Sequence, residues 1–220
     1  MFRKIAEAAA TLTVAAAVLG AQVGAAHASS PSVLGGGSGI IVNDQGICTL
    51  TTIGHDAGGR LVGLTAAHCG ETGATVVADA NPDTGVVGTF AYTNKDMDYA
   101  MIVFDPDKVM PVNRVGDTII TGLGAPARFP DIACKEGRTT GRTCGLAYGE
   151  LFPSDTWTWT QACVLPGDSG GPVVVGTTLV GMVNAYLTVP CLGPQVGANI
   201  ITIVNDATAR GGVGADFHPI

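Results

Sequence analysis

Charge is scarce in this sequence: Asp, Glu, Lys and Arg make up only 13% of its 220 residues. So little charge cannot lace long solvent-facing helices with ion pairs, and 32 Gly and 12 Pro interrupt the chain further, so helix is expected to be a minor element. Positive charge is scarcer still. With 11 basic residues against 18 acidic ones the formal net charge is −7, and no Lys/Arg cluster with interleaved aromatics offsets it locally. A polyanion would meet net repulsion, which excludes nucleic acid as the expected partner. The acidity serves solubility and carries no substrate preference. There is no CxxC pair and no tight His/Cys cluster, so no metal site is expected. Beyond the first 28 residues, long apolar runs are also missing: the stretch 173–183 is cut into strand-sized pieces by Gly176, Thr177, Thr178 and Gly181.

The first 28 residues read as an export signal, with a basic start at Arg3 and Lys4, an apolar run over 8–20 and small residues for cleavage at Ala26-His27-Ala28. A retained anchor is the competing reading, but the run is short for a spanning helix. The mature chain, residues 29–220, is expected to be secreted, extracellular and free of the membrane. Losing Arg3, Lys4 and Glu7 would move the formal charge from −7 to −8. All six cysteines (Cys48, Cys69, Cys134, Cys144, Cys163 and Cys191) lie in that part. An even number after an export signal implies disulfides, whose pairing composition leaves open.

Short β-branched runs at 40–42, 48–53, 61–66, 75–80, 86–92 and 99–104 are separated by turns carrying Gly, Asn, Asp or Pro. A second set follows at 118–121, 143–148, 156–161, 172–175, 179–186 and 197–204. Evenly spaced short strands indicate a sandwich or closed barrels, and two sets of similar size suggest two barrels side by side, over about 39–110 and 118–210. The segment 106–127, rich in Pro and Gly, is the expected crossover. The best helical candidate is 205–210, where Asn205 can cap a short C-terminal helix ended by Gly211 and Gly212.

Three segments carry chemistry, in the order Thr65-Ala66-Ala67-His68-Cys69, Asp98-Tyr99-Ala100-Met101-Ile102 and Gly167-Asp168-Ser169-Gly170-Gly171-Pro172. A serine hydroxyl is a poor nucleophile at neutral pH; it needs an adjacent base, and the base needs its tautomer fixed by a carboxylate. Ser169, His68 and Asp98 supply one of each. Asp96, two residues away, is the rival to Asp98. The glycines around Ser169 permit a sharp turn, and the N–H groups of Gly167 and Ser169 can converge on an oxyanion. Asp168, beside the nucleophile, needs a compensating cation or hydrogen bonds if buried.

These motifs resemble those of the chymotrypsin family, in which the histidine lies in T-A-A-H-C, the aspartate opens a short apolar strand and the serine lies in G-D-S-G-G-P. Cys163-Val164-Leu165-Pro166 ahead of Gly167, and Cys134 and Cys144 flanking Thr139-Thr140-Gly141, are similar to the bacterial streptogrisin-like branch. The resemblance covers about residues 35–206. It implies an all-β fold of two six-stranded antiparallel barrels, with His68 and Asp98 on the first and Ser169 on the second. It also implies disulfides Cys48–Cys69, Cys134–Cys144 and Cys163–Cys191. That branch pairs the aspartate before the serine with an arginine of the second disulfide loop. The matching position here is Lys135, so a Lys135–Asp168 ion pair is expected, with Arg138 as the alternative cation.

Two departures stand out. Secreted relatives of this type carry a long pro-region, whereas here the mature-like sequence follows the signal, which implies unaided folding. The strand expected to bind substrate reads Asn184-Ala185-Tyr186, where relatives have Ser-Trp-Gly or Ser-Gly-Gly. Tyr186 either narrows the primary pocket or swings outward, and the sequence leaves both open. The resemblance implies a secreted, monomeric serine endopeptidase acting on polypeptides through an acyl-enzyme, without cofactor or metal. The alternative is a catalytically impaired binding module of the same fold with an occluded pocket; an esterase would share the mechanism.

Overall fold

The computed structural model describes residues 30–152 and 154–220. The expected signal peptide therefore lies outside the described residues. Two sheets of eight strand segments each dominate the chain. In the first, the order runs His218–Pro219, Thr52–His55, Leu61–Thr65, Tyr99–Phe104, Val86–Asn94, Thr75–Ala78, Gly39–Val42, Gly46–Thr49. Gly46–Thr49 and Thr52–His55 are successive pieces of one bent strand, so the two ends of the row meet and six strands close into a barrel. The second sheet runs Gly122–Leu123, Thr178–Met182, Pro172–Val175, Ile132–Gly137, Gly141–Gly149, Trp157–Thr160, Gln195–Ala198, Ala185–Tyr186. It closes where Gly181 bridges Asn199 and the Asn184 N–H donates to the Val196 carbonyl at 3.1 Å. Six strands again make the barrel, with short segments appended.

Two strands read as almost continuously apolar because each faces a core on both sides. In Leu61–Thr65 every residue is buried; Leu61 points into the first barrel, while Val62 and Leu64 join a second cluster between the barrels. Tyr99–Phe104 alternates the same way: Ile102 and Phe104 fill the first barrel, and Tyr99 and Met101 meet Met182, Ile200, Ile203 and Phe217 between the barrels. Burial of each such side chain stabilises the fold by roughly 1.5–3 kcal/mol. The His68 and Asp98 segments are thus the ends of strands packed on both faces.

The C-terminal helix differs from the sequence expectation. It spans Ile200–Arg210 with Asn199 as its N-cap residue, five residues earlier than expected, and the strand before it stops at Ala198. The β-branched run Ile200-Ile201-Thr202-Ile203-Val204 favours strand locally, but as a helix it places Ile200, Ile203 and Ala207 on one buried face between the barrels. Tertiary burial overrides propensity here. The tail then returns to the first barrel, where His218 pairs with His55 and the Ile220 N–H donates to the Ile53 carbonyl at 3.1 Å. Asp56 secures it, accepting from Arg60 Nε at 2.8 Å and from the Gly214 N–H at 3.0 Å.

Candidate functional site

His68 lies in the 3-10 turn Ala67–Cys69, directly after Leu61–Thr65, with Ala66 and Ala67 buried beneath it. The turn is tied down by the Cys48–Cys69 disulfide. Asp98 ends the four-residue turn between Val86–Asn94 and Tyr99–Phe104, with φ of +48°, a left-handed conformation that Asp tolerates better than most residues. The sequence placed Asp98 at the mouth of a strand; the structure puts it in the turn, where its side chain reaches His68. The His68 backbone N–H donates to Asp98 Oδ1 at 2.8 Å, and His68 Nδ1 lies 2.7 Å from Asp98 Oδ2. Asp96 makes no hydrogen bond to His68 among the described residues; its N–H is turned to Asn94 Oδ1.

Asn184 completes the environment of the carboxylate. The Ala198 N–H can only donate, so Asn184 Oδ1 faces it, at 2.8 Å. That orientation turns Asn184 Nδ2 toward Asp98, where it donates to Oδ2 at 2.9 Å and to the Asp98 carbonyl at 2.7 Å. Burial would raise the Asp98 carboxyl, but the hydrogen bonds from His68 and Asn184 outweigh it and hold the group below its ordinary value. The sequence grouped Asn184 with Ala185 and Tyr186 as substrate-binding. Its side chain is instead spent on Asp98, while Ala185 is exposed and Tyr186 is half-buried against the second barrel's apolar cluster, which includes Val164 and Val183.

Ser169 sits on the turn ahead of Pro172–Val175, and the first barrel grips that turn. The Thr49 N–H donates to the Ser169 carbonyl at 2.8 Å, Thr49 Oγ1 to the Gly167 carbonyl at 2.8 Å, and Thr51 Oγ1 to the Gly170 carbonyl at 2.5 Å. Thr49 follows Cys48, whose disulfide partner Cys69 follows His68, so the serine and histidine segments converge through Thr49. Among the described residues no hydrogen bond joins Ser169 Oγ to His68; such pairs are often loose until substrate closes them. Gly167 and Gly170 have φ of +98° and +83°, and a Cβ on either would collide with Thr139 Oγ1 or Thr65 Oγ1 respectively. The N–H groups of Gly167 and Ser169 have no protein acceptor among the described residues. Sequence reasoning passed over Thr49 and Thr51. Their signal was a cluster of threonines, Thr49, Thr51 and Thr52, directly after a disulfide cysteine.

Beneath the serine lies a buried ion pair. Lys135 Nζ is 3.1 Å from Asp168 Oδ2, with both side chains inaccessible to solvent. Asp168 also accepts from the N–H groups of Thr139, Thr140 and Leu165 at 2.9, 3.0 and 3.0 Å, and from Thr140 Oγ1 at 2.6 Å. Lys135 donates further to the Gly141 carbonyl at 2.9 Å and to Thr140 Oγ1. Burial would raise Asp168, but these donors, Thr140 foremost, hold it below the ordinary value; burial lowers Lys135, against the pull of Asp168. Arg138 lies elsewhere, with its Nε 2.8 Å from Asp79 Oδ2. The disulfides join Cys48–Cys69, Cys134–Cys144 and Cys163–Cys191. Cys163 stands six residues before Ser169, so its bridge braces the strand-to-turn segment that carries the serine.

Asp56, Asp98 and Asp168 are all held below the carboxylate value of the unfolded chain. Carboxyls depressed in this way stabilise the fold fully above about pH 4 and cease to do so as pH falls through their folded values. The midpoint of thermal unfolding should accordingly hold steady from neutral pH to about 5 and drop steeply below about pH 4. A midpoint unchanged at pH 2.5 would show that these hydrogen bonds do not persist in solution.

Two closed antiparallel barrels, with a histidine–aspartate pair on one and a glycine-flanked serine held against it by the other, define the chymotrypsin fold. No model of a known protein family matches the sequence. Streptogrisin-C of Streptomyces griseus is 28% identical over 160 residues, which cover 68% of this chain and 34% of that protein. This chain thus spans about a third of the length of that relative. Serine protease 2 of Streptomyces fradiae is 27% identical over 163 residues, covering 69% of this chain and 93% of that protein. In structure, Nocardiopsis protease superposes with a TM-score of 0.68 at 24% identity, over 80% of this chain and 96% of that one. In sequence the chain is similar to streptogrisin-like serine proteases, and in fold to bacterial proteases of the chymotrypsin type.

Proposed function

We propose that this chain is a secreted serine endopeptidase that cleaves polypeptides through an acyl-enzyme. The observation that carries the reading is the geometry around His68, whose Nδ1–H is directed at an ionised, triply hydrogen-bonded Asp98, leaving Nε2 to act as base. Ser169 attacks the scissile carbonyl while His68 takes its proton and returns it to the leaving amine; water then repeats the cycle on the ester. The free N–H groups of Gly167 and Ser169 stabilise the oxyanion. The Lys135–Asp168 pair holds their turn. The kinship with named serine proteases supports the reaction class, and three disulfides support export. Residues 1–28 would direct that export.

Tyr186, half-buried against the apolar cluster that contains Val164 and Val183, favours a small side chain beside the scissile bond. It also supports the second reading, a binding module whose pocket is filled. On the other side of His68 a groove of about 680 Å³ is lined by Asn43, Ala67, Gly70, Glu71, Lys95 and Asp98, leaving room for extended substrate.

Fluorophosphonate labelling of the exported protein, with Ser169→Ala as control, followed by cleavage of a mixed peptide library, tests both. Labelling that the control abolishes, with cleavage after small residues, is the expected result. Labelling without cleavage would favour the occluded module, and cleavage restored by Tyr186→Gly would identify the obstruction. Absence of labelling would overturn the peptidase.

A further inference from the structure

The turn that presents Asp98 is held from outside its own barrel. It spans residues 95–98, and its flanking residues, Asn94 and Tyr99, both reach one oxygen atom. Asn94 Nδ2 donates to Asp206 Oδ2 at 3.1 Å, and Tyr99 Oη donates to the same oxygen at 2.5 Å. Asp206 belongs to the C-terminal helix, which follows the second barrel. A single carboxylate oxygen thus clamps both ends of the hairpin loop.

The clamp acts on the interior of the turn as well. With Nδ2 committed to Asp206, Asn94 Oδ1 faces the turn and accepts the N–H groups of Asp96 and Met97, both at 3.0 Å. Tyr99 is fully buried and its hydroxyl needs an acceptor. Burial first, and then the Asp206 carboxylate, push that hydroxyl well above its ordinary value, so it stays a donor. The ring of Tyr99 lies 5.9 Å from that of Tyr92, over which the Arg210 guanidinium sits at 3.7 Å. Asp98 itself has φ of +48°, a sparsely populated conformation that persists only where its surroundings over-determine it.

We propose that Asp206 is a positioning residue for Asp98, holding the 95–98 turn through Asn94 and Tyr99 so that docking of the C-terminal helix sets the geometry of the His68–Asp98 pair. The role assigned to that pair rests on the peptidase reading above. Ser169 comes from the second barrel directly, and through Asp206 the second barrel also fixes the carboxylate of the first. The two halves of the site are then registered by one helix.

The test compares Asp206→Ala, Asp206→Asn and Asn94→Ala in the full mature chain. The readouts are steady-state cleavage of a peptide identified from the library and the low-field proton resonance of His68 Nδ1–H. Asp206→Ala should lower kcat about ten-fold or more with a smaller change in KM, because Asp206 does not line the groove beside His68 and acts through the orientation of Asp98. It should also shift or broaden the Nδ1–H resonance. Asp206→Asn keeps an oxygen for the Tyr99 hydroxyl and should recover most of both. Asn94→Ala should reproduce the Asp206→Ala signature without altering the helix, and it carries the test if Asp206→Ala fails to fold. Wild-type kcat and an unmoved resonance in the folded variants, with stability alone reduced, would make Asp206 a structural residue and overturn the inference. The resonance needs no substrate, so it reports on Asp206 even if the wild-type protein proves inert to fluorophosphonate, an outcome that would overturn the peptidase reading alone.

Discussion

Lys135→Met should cost this protein about 3–5 kcal/mol of stability and most of its reactivity at Ser169. The methionine nearly matches the volume of the lysine stem, so packing survives and the loss comes from charge. Asp168 would keep its four neutral donors, from Thr139, Thr140, Leu165 and the Thr140 hydroxyl, but lose the one cation that neutralises it in a site closed to water. It would then take up a proton far more readily or pull its segment toward solvent. Either response disturbs Ser169, the next residue, and Gly167, the one before, whose N–H groups are the proposed oxyanion donors. Lys135→Arg retains the charge and should retain most of the activity, in keeping with the arginine that the related branch uses. Denaturant midpoints and fluorophosphonate labelling rates of the two variants provide the measurement. A Met variant with undiminished stability and labelling would show that the neutral donors suffice and that the ion pair is dispensable.

The parts of this site that sequence made legible are those where chemistry forces a residue type into a short contiguous motif. A histidine before a disulfide cysteine and a serine between glycines both have few substitutes, so they announced themselves, and the structure brings their segments together. The Lys135–Asp168 contact was legible only by resemblance, since nothing in a 33-residue separation announces it. What sequence could not show is contact between distant residues of common type. Thr49 and Thr51 look like ordinary strand threonines until their hydroxyls and the Thr49 amide are seen on the serine turn. Asn184 reads as a substrate-strand residue until Ala198 fixes its amide and turns it onto Asp98. The helix boundary failed for a different reason: the Ile200–Val204 run prefers strand locally, and only the cleft between the barrels makes a helix there the better way to bury Ile200 and Ile203.

Asp98→Asn should leave the fold in place and lower kcat about 10⁴-fold, equivalent to about 5 kcal/mol of transition-state stabilisation. Both carboxylate oxygens now accept: Oδ1 from the His68 backbone N–H, and Oδ2 from His68 Nδ1–H and Asn184 Nδ2. An amide supplies only one acceptor. If its NH₂ takes the Oδ1 position it confronts the His68 backbone N–H, which cannot be turned. If it takes the Oδ2 position it confronts Asn184, whose amide cannot flip without abandoning the Ala198 N–H. The imidazole is the one partner free to change: it accepts at Nδ1, its proton moves to Nε2, and Nε2, the proposed base, can no longer take the serine proton. The amide has the shape of the carboxylate, so KM should change little while kcat falls, and the low-field Nδ1–H resonance should vanish. Retention of kcat within ten-fold would mean that Asp98 does not orient His68 in turnover, and would return attention to Asp96, the other acid of the same turn.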